Sequence, residues 1–211
     1  FEGNHQTPPA VLLIGTEPNL RWQFFCDEII GLAQTLSARY VVTLGSLVTD
    51  AGHTRPVPLT GFSTDPDVAA RLLSGDVNRA HYEGPTGIVG TLHNLSTHAG
   101  LATASVWAAT PYYLGSTPNP KTALGLLDAI DDALSLRLNL TELRDVADEF
   151  ARQVSLAVKD NTEVQERIRT LEAAYDARGA SAIPQQPPDF PETGAIIADL
   201  ESFLREQRTE E

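Results

Sequence analysis

The stretch "VLLIGTEPNLRWQFFCDEIIGLAQTLSARYVVTLG", residues 11–45, decides how the rest of the chain is read. Its two ends, Val11–Gly15 and Tyr40–Gly45, are short unbroken apolar runs, the pattern of strands covered on both faces rather than on one. Between them Trp22, Phe25, Cys26, Ile29, Ala33 and Leu36 recur at spacings of three and four, which places them on one stripe of a helix opened by Pro18 and Asn19. Strand, helix and strand in that order predict a β-α-β unit.

Working outward, Leu101–Ala109 ("LATASVWAA") is a third apolar run of the same kind, and the three runs are predicted to lie parallel in one sheet. Ile88, Leu92, Leu95 and Ala99 step by four and three before it, with Gly100 where a helix would stop. Asn119-Pro120 then caps a third helix whose stripe is Leu124, Leu127, Ile130 and Leu134. Residues 57–64 read as a short strand whose proline suits a sheet edge, and Asp65 opens a small helix from Pro66 to Leu73.

From Thr141 the pattern changes. Leu143, Val146, Phe150, Val154 and Val158 mark one helix, and Thr162-x-x-Gln165 resembles a capping box ahead of Val164, Ile168, Leu171 and Tyr175. The expected organisation is therefore an α/β core over residues 1–139 with a mostly parallel sheet flanked by helices, a helical hairpin over 140–178, a proline-rich linker over 179–192, and a carboxy-terminal helix over 193–211.

Composition narrows the function. The chain has 211 residues, 42% of them hydrophobic and 20% charged, which is enough apolar material for a sizeable core. A formal net charge of -13 opposes association with a polyanion, so nucleic acid is not expected as a partner. Cys26 is the single cysteine, so no internal disulfide and no thiolate metal cluster can form. No apolar run reaches the roughly 20 residues that a membrane-spanning helix needs, and Phe1 opens no signal peptide. The expected location is cytoplasmic, with no membrane partner.

Catalytic signatures are few. No serine sits in a Gly-x-Ser-x-Gly elbow, and His93 and His98 are five apart, off the i, i+4 spacing of a helical metal pair. The glycines of "YEGPTGIVGTLH" (82–93) form neither a Walker loop nor a dinucleotide fingerprint. Two readings of that loop stay open: a turn and helix cap, or an anion site built from backbone N–H groups near Gly84, Thr86 and Gly87. No metal, cofactor or catalytic residue is expected.

Ligands of open parallel sheets sit beyond the carboxyl ends of the strands. That rule gathers Glu17, Asn19 and Arg21 after the first run, His53 and Arg55 after the second, and Tyr112 after the third, together with the Gly84 loop. This rim is either a ligand or partner site, or a set of hydrogen bonds and ion pairs that anchor loops.

Five stretches taken in order, "GTEPNLRWQFFCDEI" (15–29), "HTRPVPLTG" (53–61), "YEGPTGIVGTLH" (82–93), "WAATPYYL" (107–114) and "PNPKTALGLL" (118–127), resemble the actinobacterial members of the proteasome assembly chaperone 2 family. The resemblance implies an α/β core similar to purine nucleoside phosphorylase-like folds with an accessory helical hairpin. It also implies a homo-oligomer, a trimer being one arrangement, and a role as an interaction factor, since relatives escort proteasome subunits. Family members carry a longer amino-terminal region, so a segment that would flank the rim is expected to be absent here. The chain ends Arg208-Thr209-Glu210-Glu211, without the hydrophobic-Tyr-any residue tail with which some relatives dock. The alternative function is an enzyme or sensor that binds a small nucleoside-like or anionic ligand at the rim.

Overall fold

The computed structural model describes residues 8–75, 77–79, 87–115 and 117–178. In chain order the elements are α1 (Trp22–Thr35), β1 (Tyr40–Thr49), β2 (Leu59–Ser63), α2 (Pro66–Ser74), β3 (Val77–Arg79), α3 (Ile88–His98), β4 (Ala102–Pro111), a short 3-10 turn (Tyr112–Leu114), α4 (Pro120–Leu134), α5 (Thr141–Ala157) and α6 (Thr162–Arg178). Three helices, α2, α4 and α6, begin at a side-chain cap, whereas α1, α3 and α5 begin without one. Asp65 caps α2 by accepting from the backbone N–H of Asp67 and Val68. Asn119 caps α4 in the same way through Thr122. Gly100 follows α3 at φ +79, a left-handed conformation that glycine adopts without strain.

The fold is α/β, as expected, and its sheet has four strands in the order β1-β4-β2-β3. The sheet is mixed. Thr43 meets Ser105 and Gly45 meets Trp107 at one constant offset, so β1 and β4 run parallel. Between β4 and β2 the register runs the other way: Thr64 N–H donates to Thr103 at 2.9 Å and Ala109 N–H to Pro58 at 2.9 Å, which is antiparallel pairing. The Pro58 segment was predicted for an edge, yet β2 lies between β4 and β3. Pro58 still fits, because it stands just before the strand and contributes only its carbonyl.

The strand predicted at Val11–Gly15 does not form. Those residues are not among the four strands, and Val11, Leu12, Leu13 and Ile14 are 65%, 83%, 61% and 95% exposed. Unbroken apolarity states that a segment needs cover on two sides, not where that cover comes from. The middle strand behaves as its pattern requires: β4 is buried along almost its whole length. Two glycines admit close approaches beside it. A Cβ on Gly45 would lie 2.6 Å from the Trp107 ring, and one on Gly61 would lie 2.7 Å from the Ser105 carbonyl oxygen.

Contacts divide the chain into two units. The first comprises Phe1–Leu44, Gly61–Val106 and Ala129–Leu138. Its core joins α1 to α3 through Cys26, Ile30 and Leu92, with Phe25, Ile29, Val41, Ile88, Leu95 and Leu101 packed around them. Cys26 is fully buried, and burial pushes its thiol pKa up, so it acts as a small hydrophobe. His93 belongs to the same unit. Thr43 donates to Ser105, so the Thr43 oxygen accepts from His93 Nε2–H at 2.8 Å, and burial favours the neutral imidazole.

The second unit comprises Gly45–Thr60, Trp107–Asp128 and Asn139–Glu211. Its core packs Val154, Val158, Val164, Ile168 and Leu171 of the α5-α6 hairpin on Tyr112, Tyr113 and Leu114. On α5, Ala147 is buried while Val146, predicted on the stripe, is half exposed. The cap of α6 also differs from the capping box proposed at Thr162. Asn161 Oδ1 accepts from Val164 N–H at 3.1 Å, because Thr162 is already the first helical residue. The linker and last helix predicted beyond Arg178 lie outside the described residues.

Candidate functional site

The loop that follows β1 runs over the carboxyl end of that strand, and in the second unit it is fixed from several directions. His53 is almost fully buried, at 4% exposure. The Tyr113 hydroxyl oxygen accepts from the His53 backbone N–H at 2.9 Å and lies 2.9 Å from His53 Nδ1; the tautomer that gives the buried hydroxyl proton an acceptor has Nδ1 accepting it. With Nδ1 accepting, the ring proton sits on Nε2, which donates to Ser155 Oγ at 3.0 Å. Ser155 in turn donates its own proton to the Ala151 carbonyl, 2.9 Å away. Burial first, and then the nearby Lys121 charge, lower the His53 pKa to about 4. Burial raises that of Tyr113.

Lys121 supplies the other anchor. Its Nζ donates to the carbonyls of His53 at 2.5 Å and Arg55 at 2.8 Å, and burial lowers its pKa. Arg55 reaches α6, where its guanidinium meets both carboxylate oxygens of Asp176, at 2.9 and 2.7 Å, and Glu172 at 3.5 Å. Thr54 donates to Glu172 at 2.5 Å. At the start of the same loop Asp50 accepts two bonds from Arg167, at 2.8 and 2.9 Å. A small cavity, with room on the order of one water molecule, opens among Ala51, His53, Pro111, Asn119, Lys121 and Phe150.

The predicted rim residues separate as follows. His53 and Arg55 stand in this loop, and Tyr112 lies buried beside Tyr113 with the two rings edge to face at 5.3 Å. Glu17, Asn19, Arg21 and Gly87 belong to the first unit and are exposed. Arg21 precedes α1 in a left-handed conformation, with its guanidinium 4.7 Å from the Phe24 ring centre. Gly87 precedes α3 and accepts from Thr91. Gly84 and Thr86 lie outside the described residues.

Sequence reasoning missed Lys121, Ser155 and the acidic pair on α6. Lys121 carried a usable signal: a cation in the first turn of α4 opposes the helix dipole, so its place there needs another reason. The two carbonyls are that reason. Ser155 and His53 are 102 residues apart, and no local pattern links them.

As chemistry, the Ser155-His53-Tyr113 chain is a latch. A serine nucleophile needs a base with a free lone pair on its hydroxyl. In the tautomer that satisfies the Tyr113 hydroxyl, Nε2 carries the proton and the serine hydrogen is directed at the Ala151 carbonyl. Among the described residues no group of three or more His, Cys, Asp or Glu could hold a metal ion. No helix among them is long and apolar enough to cross a membrane.

The model of the PAC2 family matches residues 2–158. The chain belongs to the PAC2 family. Among solved structures, a PAC2 family protein from Streptomyces avermitilis is 42% identical, covers 72% of this chain and 63% of its own, and superposes with a TM-score of 0.61. A proteasome-assembly chaperone homologue from Mycobacterium tuberculosis is 36% identical over 73% of this chain and 64% of its own, at a TM-score of 0.63. A protein of unknown function from Corynebacterium glutamicum is 26% identical over 77% and 59%, at 0.68. The chain thus spans 59–64% of the length of those three relatives. No curated protein matches it. The PAC2 match ends at Val158, yet the His53 loop rests on α6, beyond that point.

Proposed function

We propose that this PAC2 chain is a cytoplasmic, non-catalytic interaction factor that acts on proteasome components. The observation that carries the reading is the 36% identity to a proteasome-assembly chaperone homologue over 73% of the chain. The latch at His53 supports it, because the His53-Ser155 pair is spent on holding a loop. The net charge of -13 favours a partner with a basic surface. Co-expression of the tagged chain with proteasome subunits of the same organism is the test. Retention of a proteasome subunit through purification is expected, and its absence at every salt concentration down to 50 mM would sink the reading.

A second reading rests on Lys121. Its ammonium has three N–H donors and two are used on carbonyls, which leaves one beside the cavity where Asn119 also stands. That cavity lies past the carboxyl ends of β1 and β4, where sheet proteins bind ligands. A small anionic group fits this chemistry, with His53 and Arg55 lining the same cavity. Thermal shift against phosphate, nucleotides and dicarboxylates tests it: a ligand at 100 times its Kd adds about 2.7 kcal/mol, and Lys121→Met removes that gain. A flat response to all three classes rejects the reading.

A further inference from the structure

Of the 15 Lys and Arg residues in the sequence two are lysine, Lys121 and Lys159, so the chemistry of each can be followed by itself. Lys159 is exposed in the turn after α5, 4.0 Å from Asp160. Lys121 is half-buried in the first turn of α4, and its Nζ donates to the carbonyls of His53 at 2.5 Å and Arg55 at 2.8 Å. A tetrahedral nitrogen with one bond to its own chain and two of these hydrogen bonds has one position left. A proton fills it in the ammonium and the lone pair fills it in the neutral amine. Both protons of the amine stay on the two carbonyls, so deprotonation breaks neither bond. Burial is the first cause acting on this group and lowers its pKa, against the weaker pull of Asp148 on α5. The charges around it are otherwise engaged: His53 is neutral at physiological pH, and the Arg55 guanidinium is bound to Asp176 and Glu172.

Lys121 lines the cavity of the second unit together with Ala51, Asn119 and Phe150, and the size of that cavity, on the order of one water molecule, restricts what reaches the nitrogen to a small group. We propose that Lys121 is a modification site for a small acyl group carried by an acyl phosphate, and that acylation loosens the His53 loop. The lone pair of Nζ attacks the acyl carbon, the bond from that carbon to the phosphate oxygen breaks, and the proton lost by the nitrogen leaves on the phosphate as hydrogen phosphate. Asn119 Oδ1 accepts from Thr122 N–H, which leaves the Nδ2–H donors of the same amide for the carbonyl oxygen that gains charge. The product is a neutral amide with a single N–H. It can serve one of the two carbonyls at most, so His53 or Arg55 loses its donor and the loop loses an anchor. The step uses the nitrogen of the anion reading but needs no resident anion, so a flat thermal-shift screen would leave it standing.

Acetyl phosphate is the probe, applied to the folded 211-residue chain in a phosphate-free buffer and read by peptide mass spectrometry. Lys121 should be acetylated at least fivefold faster than Lys159, the internal reference, and its rate should level off with rising pH below the 10.5 of an ordinary lysine. In concentrated urea the two rates should become equal. Lys159→Arg replaces an exposed side chain and leaves Lys121 as the single lysine. Acetylation of that variant should speed amide exchange at residues 51–57 at least tenfold while exchange in α1 is unchanged. Labelling of Lys121 no faster than that of Lys159 in the folded chain, a preference that persists in urea, or an acetylated chain whose loop exchanges as before would each overturn the proposal.

Discussion

The Tyr113 hydroxyl holds His53 at two points, accepting from its backbone N–H and donating to its Nδ1, each at 2.9 Å. A single oxygen thereby fixes both the backbone of the loop and the tautomer of the ring. Tyr113→Phe keeps the ring, which packs in the hairpin core, and removes only that oxygen. Two buried groups of His53 lose their partner, at about 1–3 kcal/mol for each unsatisfied group. A loss of about 2–6 kcal/mol is expected, read as a lower urea midpoint at unchanged m-value. A change below 0.5 kcal/mol would show that the hydroxyl does not secure the loop.

Acid sensitivity should come from two histidines. His53 and His93 are each buried, and burial is the first cause that lowers each pKa from 6.5 to about 4. The unfolded chain takes up protons on both near pH 6.5, and the folded chain resists until about pH 4. Between these values the unfolded state binds more protons, so stability rises with pH in this window and falls on acidification. At about 1.4 kcal/mol per pKa unit each histidine contributes on the order of 3 kcal/mol by pH 4. His93→Asn should flatten part of the slope of Tm between pH 6.5 and 4, and an unchanged slope would refute the assignment.

What could be read in advance follows from how far each signal reaches along the chain. The Asp65 cap, the Gly100 stop and most of the α1 and α3 stripes are local patterns and stand where periodicity and capping placed them, while Leu36 and Ala99, at the ends of those stripes, lie past the helices and are exposed. Val11–Gly15 misled because its apolarity records a need for cover, and nothing in the described chain provides it. The rim rule correctly picked His53 and Arg55 as loop residues beyond β1, but not their partners. Ser155, Glu172 and Asp176 lie on helices about a hundred residues away, and as single polar residues there they match any solvated face.

Two glycines test how the sheet tolerates a methyl group. At Gly45 a Cβ would meet the far end of the Trp107 side chain at 2.6 Å, and at Gly61 it would meet the backbone oxygen of Ser105 at 2.7 Å. A ring can shift, whereas the backbone of a buried central strand cannot move without breaking its ladder. Gly45→Ala should cost about 1–3 kcal/mol, with a change in tryptophan fluorescence, and Trp107→Leu should recover part of it. Gly61→Ala should cost more, with no side-chain substitution that relieves it. Equal losses in denaturant titrations would contradict this ordering.

The Ser155 latch gives the prediction with most bearing on function. If Ser155 accepts from His53 Nε2–H and its own proton rests on Ala151, then its oxygen has no base to activate it. The chain should therefore show no burst with p-nitrophenyl acetate, and a fluorophosphonate probe should leave Ser155 unlabelled. Ser155→Ala leaves the buried Nε2–H without an acceptor, so a stability loss of about 1–2 kcal/mol is expected. Retention of proteasome subunits should survive the substitution, since the latch positions a loop and transfers no proton. Stoichiometric labelling of Ser155, with binding lost in Ser155→Ala at unchanged stability, would instead make His53 and Ser155 a catalytic pair and the chain an enzyme.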